Sequence, residues 1–304
     1  MPELPEVETI ARGAHERVRG DRIVAAWFGG HREPFKTPPA RQARGLEGRA
    51  ILAVHRTGKH IVCELGAADE SVQSHPGSPQ QAKIARRGPR SRKNKDAARV
   101  GHPAQWIVHL GMTGRLLVTT PDAPVAPHTH ARLSLASGRE LRFVDPRRFG
   151  RLEFRNLSRS PGFSAPGADP LAVTAAEFAQ LFRGRRLAIK AALLNQKLLS
   201  GVGNIYADES LFRAGIRPRR LAGRLTRAEL EKLRLALRKV LEDAIRLGGS
   251  SVSDYVDAEG MRGFFQLEHC VYQRTGLPCR SCQTPIRRMV LAGRGTHYCP
   301  YCQR

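Results

Sequence analysis

No stretch of about 18 consecutive apolar residues occurs in the 304-residue chain, so a membrane-spanning helix is excluded. The start lacks an apolar run behind a basic opening and instead carries acids at Glu3, Glu6 and Glu8, which does not fit a secretory signal. Acidic residues are scarce overall: 27 Asp+Glu stand against 51 Lys+Arg, and none occurs from His269 to the end. The formal charge of +24 calls for a polyanionic partner, nucleic acid or an acidic membrane surface, and says nothing about fold. With no export signal, a cytoplasmic location is expected, and the six cysteines are expected to be reduced or metal-bound.

Part of the charge sits in residues 66–105, which hold eight Lys/Arg and three Asp/Glu with almost no large apolar side chain. Such a stretch cannot bury enough surface to offset its ordering entropy, so it reads as a disordered basic insertion between two strands. Its net +5 subtracted from +24 leaves +19 on the rest, so the folded body is basic in its own right.

The length allows two domains and a small appendage. At the start, Val7, Ile10, Ala11, Ala14 and Val18 fall on one face of a helix, with Pro5 suited to its first position and Glu6 and Glu8 near its positive end. Short β-like runs follow. Ile23–Phe28 is one; 50–65 reads as a hairpin turning near Thr57-Gly58; 105–118 carries a strand or a pair; 131–144 alternates around Ser137-Gly138. Residues 156–170 are rich in Pro, Gly and Ser and mark a linker. Helices then dominate. Thr174/Glu177 and Thr226/Glu229 form capping boxes, the second flanked by a Leu225–Leu230 staple. Between them a helix ending at Ser200, the turn "GVGN" (201–204) and a helix from about Asn204 to Arg213 resemble helix-turn-helix geometry. The expected fold class is therefore α+β: a β-sandwich or barrel with an N-terminal helix over 1–155, a linker over 156–170, a helical domain over 171–262, and a loop with a terminal hairpin over 263–304.

The sharpest local signal is Cys279-x2-Cys282-x16-Cys299-x2-Cys302, the spacing of a closed tetrahedral Zn²⁺ site; two disulfides or four unconnected cysteines are the alternative. The hairpin it would hold is basic enough for phosphates. "GVGN" offers backbone N–H groups at a helix start, where anions are favoured, although GxG by itself is usually only a turn. "DPRRFG" (145–150) couples Arg147 and Arg148 to Phe149, either as a wedge between bases or as a turn with Phe149 in the core. Met112 in "HLGMTG" reads by default as a core methionine and Lys59 as an exposed turn lysine. Strand alternation would place His128 and His130 on one face, without the acid or thiol partners a metal needs. Cys63 and Cys270 read as buried or incidental. Nothing in these patterns requires Pro2 or Glu3.

"PELPEVE" behind Met1, "HLGMTG", "DPRRFG", "NQKLLSGVGNIYADESLF" and the four-cysteine end occur in this order. Together they closely resemble the bacterial formamidopyrimidine-DNA glycosylases, over nearly the whole chain except 66–105. The resemblance implies an N-terminal β-sandwich, a helix–two-turn–helix domain and a zinc finger with one structural Zn²⁺. It also implies a monomer acting on double-stranded DNA that contains oxidised bases or abasic sites, with no membrane partner. On the same ground Pro2, exposed once Met1 is removed, would be the Schiff-base nucleophile. A chain-terminal amine has a pKa of about 8, against about 10.4 for lysine, so more of it is unprotonated near neutrality. Glu3 would be the acid that assists ring opening, Lys59 would assist β-elimination, and Arg294 would serve δ-elimination and grip phosphate. Asn204 would bind phosphate; His128, Arg147 and Arg185 would contact DNA; Met112, Arg148 and Phe149 would fill the gap left by a flipped nucleotide. A glutamine common in the family before the arginine is Gly293 here. The expected activity is a bifunctional glycosylase and lyase for oxidised purines that cuts by β,δ-elimination. The alternatives are an endonuclease VIII-like enzyme for oxidised pyrimidines and a non-catalytic zinc protein that binds nucleic acid.

Overall fold

The computed structural model describes residues 1–30, 34–68, 102–251 and 255–304. Helix α1 (Leu4–Val18) is followed by β1 (Ile23–Phe28), α2 (Pro39–Leu46), β2 (Arg49–Thr57), β3 (His60–Ala68), β4 (Ala104–His109), β5 (Arg115–Thr119), β6 (Thr129–Leu135), β7 (Glu140–Val144) and β8 (Arg151–Asn156). The strands make two four-stranded antiparallel sheets, ordered β1-β6-β7-β5 and β2-β3-β4-β8. Alternation decides which side chains enter the space between them: Leu133, Leu135, Leu141 and Phe143 are buried, opposite Ile61, Cys63, Trp106 and Val108 from the other sheet. The apolar stripe of α1 (Val7, Ile10, Ala11, Ala14, Val18) joins this core. The 50–65 and 131–144 hairpins form as the pattern predicts, and β4 and β5 form too, but in different sheets.

The insertion expected over 66–105 is shorter at both ends, because ladder pairing carries β3 to Ala68 and starts β4 at Ala104. The rest of it, 69–101, lies outside the described residues. Two elements went unread in the sequence: α2, and β8, which completes the second sheet. After β8 the chain crosses the outside of the sheet. There Phe163 sits 4.6 Å from His60, and the Phe163 N–H donates to Gln105 Oε1.

Helices α3 (Ala175–Phe182), α4 (Ile189–Leu193), α5 (Asn204–Ala214) and α6 (Arg227–Arg246) enclose a second core, into which Leu4 of α1 also projects. Both capping boxes form, with Thr174 and Thr226 accepting from the N–H groups of Glu177 and Glu229. Gly215 ends α5 in the left-handed region, as a C-cap glycine should. The helix expected to reach Ser200 stops at Leu193. Gln196 turns back instead: its Nε2 donates to the Leu194 and Val202 carbonyls, and its Oε1 accepts the Gly201 N–H, so a side chain closes the turn. The C-terminal hairpin is β9 (Arg287–Leu291) with β10 (Arg294–Tyr298).

Candidate functional site

The N-terminus lies where the two cores meet. Glu3 is the residue before α1, Leu4 its first residue and Pro5 its second, one place later than the sequence suggested. The Leu4 N–H donates to the Gly201 carbonyl at 3.0 Å, and Glu3 Oε1 accepts the Ile205 N–H at 3.3 Å. The turn before α5 therefore positions the start of α1. This explains its glycines. Gly201 has φ +98°, and a Cβ on Gly203 would stand 2.1 Å from Glu3 Cδ.

A cavity of about 480 Å³ opens here, lined by Pro2, Glu3, Glu6, Lys59, Met112, Asn204, Ser250, Tyr255, Tyr272 and Arg294 among others. Glu3 is 4 % exposed. Burial pushes its carboxyl up to about 7, with Lys59 pulling the other way and Glu6 adding to the rise. Its Oε2 is buried with no hydrogen-bond partner. Lys59 is held below the ordinary lysine value, chiefly by burial and against the attraction of Glu3 and Glu6, with Arg294 adding a further depression. A carboxyl that keeps its proton far above the ordinary range and a lysine eased toward its neutral form thus face one space. Lys59 is accordingly not the exposed turn residue that its hairpin position suggested.

Glu6 was missed by the sequence reading except as a helix-dipole acid. Its carboxylate accepts from the Tyr206 hydroxyl, the Ser250 N–H at 2.8 Å and the Glu3 N–H at 2.8 Å. One buried carboxylate thereby ties α1 to α5 and to the loop after α6.

Arg294 reaches the cavity from the first residue of β10, and the hairpin's placement rests on α5 and α4. The fully buried Lys190 Nζ lies 2.7 Å from Asp208 Oδ1 and donates to Thr296 Oγ1 and the Gly295 carbonyl. Asp208 also accepts the His297 N–H at 2.9 Å. Asn204 Nδ2 donates to the same Gly295 carbonyl at 3.0 Å. Glu209 accepts the N–H groups of Cys270, Val271 and Tyr272, and burial raises its carboxyl against those bonds. Lys190, Asp208 and Glu209 were given no role by the sequence, although the last two lie inside a quoted motif. Asp208 and Glu209 leave a trace only as polar residues inside "NIYADES", a helix buried nearly all round, and Lys190 leaves none.

Met112 and Phe149 are 41 % and 48 % exposed, so neither is a core residue. Their two loops are locked together. A Cβ on Gly111 would meet the Phe149 carbonyl carbon at 2.4 Å, and buried Asp145 accepts from Thr113 Oγ1 and the Gly150 N–H, each at 2.7 Å. The Arg147 guanidinium stacks over the Phe149 ring at 4.8 Å, and Arg148 takes φ +57°. His128 and His130 do not share a face. His128 precedes β6 with φ +64° and is exposed, while His130 is buried with Nε2 3.0 Å from the Asp145 carbonyl. Arg185 is exposed in the loop after α3 and is not among the cavity's lining residues.

The sulfurs of Cys279, Cys282, Cys299 and Cys302 all lie within 4.8 Å of one another, with pairs at 3.9 Å and 3.5 Å. A tetrahedral metal with bonds of about 2.3 Å separates its sulfurs by about 3.8 Å, so the thiolates fit a closed metal site. Cys63 is buried in the sandwich core and Cys270 is half-buried beside Glu209.

Three family models match in chain order: the formamidopyrimidine-DNA glycosylase N-terminal domain over residues 1–152, that family's H2TH domain over 166–256, and the zinc finger found in FPG and IleRS over 276–304. Formamidopyrimidine-DNA glycosylases of Solibacter usitatus and Ralstonia nicotianae are each 41 % identical to it, with full coverage of both chains. Among solved structures, the Lactococcus lactis enzyme in complex with Fapy-dG-containing DNA superposes with a TM-score of 0.80 at 29 % identity, covering both chains fully. The same enzyme with abasic-site DNA gives 0.79 at 30 % identity over 99 % of each chain. Sandwich, helical module and finger thus follow the order of a three-part DNA glycosylase. The chain belongs to the formamidopyrimidine-DNA glycosylase family.

Proposed function

We propose that the protein is a bifunctional DNA glycosylase and abasic-site lyase of base excision repair, acting on oxidised purines such as 8-oxoguanine and formamidopyrimidines. One observation carries the reading: the residue behind the initiator methionine shares a cavity with a carboxyl raised to about 7, a lysine depressed by burial and a hairpin arginine. After removal of Met1, the Pro2 amine attacks C1′ of an extruded nucleotide and displaces the base, leaving N and the ring oxygen both on C1′. Glu3, its carboxyl raised by burial, donates a proton to the ring oxygen as C1′–O4′ breaks, which opens the sugar and leaves the iminium that links it to Pro2. Lys59 assists β-elimination; Arg294 holds the phosphate and serves δ-elimination.

Asn204, His128 and Arg147 grip the DNA backbone, with Arg185 at the margin of that footprint, while Met112, Arg148 and Phe149 fill the vacated stack. Cys279, Cys282, Cys299 and Cys302 hold one structural Zn²⁺, which stiffens the hairpin. Borohydride trapping on an 8-oxoguanine duplex tests the whole. A covalent protein–DNA adduct that disappears when Pro2 is blocked is expected, and its absence from active protein would sink the mechanism. One observation favours a lesion range that extends to pyrimidines: the L. lactis protein, 30 % identical here, also forms a complex with DNA containing an oxidised pyrimidine. Parallel cleavage of 8-oxoguanine and thymine-glycol duplexes measures that range.

A further inference from the structure

Away from the cleft, a groove of about 290 Å³ runs between α2 and the end of β8, lined by Arg41, Arg44, Arg49, Phe154, Asn156 and Arg159. Arg41 and Arg44 stand at i,i+3 on one face of α2, where like charges repel. Their guanidiniums and that of Arg159 are exposed and, among the described residues, have no carboxylate or other side-chain partner. Arg49 forms the floor. It is 6 % exposed, and it donates to the carbonyls of Gly45, Gly66 and His102 and meets no acid among the described residues. Its guanidinium lies 5.8 Å above the Phe154 ring, and burial lowers its pKa.

This arrangement is built rather than incidental. A Cβ on Gly45 would come within 2.6 Å of the Phe154 ring, so α2 lies flat on the strand that forms the groove wall. The acid next along the chain, Glu47, is turned elsewhere, accepting the Ala26 N–H at 3.0 Å. Three exposed guanidiniums and the buried Arg49 line one groove with no carboxylate beside them among the described residues, an arrangement that like-charge repulsion disfavours in the free protein. An anion between them relieves that repulsion and accepts in-plane hydrogen bonds.

The groove is separate from the cleft. In the second sheet Ala104 pairs with Asn156 at one end, and His109 pairs with Arg151 at the other. The Met112 and Phe149 loops leave from the far end, about 17 Å of strand away. We propose that this groove is a second phosphate-binding site that holds the backbone of duplex DNA outside the catalytic cleft. DNA is favoured over an acidic protein because this chain's partner is already DNA. A second grip on the same polyanion raises its effective concentration at the cleft with no new base contact. The inference rests on the DNA-directed reading above.

The test compares the full-length protein with R41A/R44A/R159A and with R41K/R44K/R159K. Three lost phosphate contacts lower the slope of log K against log salt by about 2–3 on an undamaged duplex of about 40 base pairs. Excision from an 8-oxoguanine duplex of about 12 base pairs is expected to stay unchanged, and the lysine variant to keep the parental slope. An unchanged slope on the long duplex overturns the site. Equal losses on both lengths overturn its separateness, because the arginines would then belong to the cleft. Loss of poly-glutamate binding without a change of DNA slope assigns the groove to acidic protein and overturns the proposal as well. If the parent fails to cut the short duplex, the glycosylase reading falls, while the long-duplex slope still reports on the groove.

Discussion

Glu3→Gln should make the protein more stable at alkaline pH while removing its activity. The parent carboxyl has a folded-state value of about 7 against an ordinary value of 4.5. Below pH 4.5 it is protonated in both states, and its contribution to stability is fully present. As pH rises through 7 the folded state must ionise a desolvated group, and that contribution is lost. A shift of this size corresponds to about 3 kcal/mol at 1.36 kcal/mol per unit. The figure is an upper one once Met1 is gone, because the amine then sits on Pro2, closer to the carboxylate, and draws its pKa down. Glutamine stays neutral throughout and keeps an oxygen for the Ile205 N–H. The assay is urea denaturation of parent and variant at pH 4.5, 6 and 8. The two curves should nearly coincide at pH 4.5 and separate in favour of the variant by up to about 3 kcal/mol at pH 8. Parallel stabilities across that range would refute a desolvated Glu3. The same titration gives the parent's Schiff-base formation an alkaline limb at or below pH 7, and Lys59→Met should move that limb upward in any residual activity by removing a cation that favours the carboxylate.

Gly203→Ala places a methyl against Glu3 Cδ, so base release should fall at least tenfold, with about 1–3 kcal/mol of strain visible in thermal melts. A melting point and rate equal to the parent's would contradict the contact. Lys190→Met strands Asp208 without its cation, which should cost about 3–5 kcal/mol in chemical denaturation. Lys190→Met/Asp208→Leu should recover part of that loss, and a double variant no more stable than the single would show that the pair is not coupled. Stripping the metal from the four-thiolate site should abolish duplex binding while the sandwich stays folded, read as retained near-UV signal from buried Trp106. Undiminished binding by metal-free protein, verified by elemental analysis, would remove the finger from the DNA footprint.

What the sequence displayed and what it hid divide along a physical line. Period-two alternation in 131–144, the i,i+3 face of α1 and the Cys-x2-Cys spacing are local patterns, written by neighbours a few residues apart, and each formed as expected. The groups that aim the site are not local. Glu6 meets Tyr206 and Ser250 two hundred or more residues along, and Lys190 meets Thr296 across 106. No window of sequence records such a partner, and a buried ionised group reads like a solvated one until its surroundings are known. The misreadings have the same origin. His128 looks like a strand residue until its positive φ places it just outside β6, and "NQKLLS" looks helical until Gln196 folds back over its own turn. "GVGN" shows the boundary most sharply. Its glycines read only as a turn with anion-binding N–H groups, yet Gly203 is required because a carboxyl two hundred residues upstream occupies the space where its side chain would be. The motif is legible because it is local, and its necessity is illegible because it is tertiary.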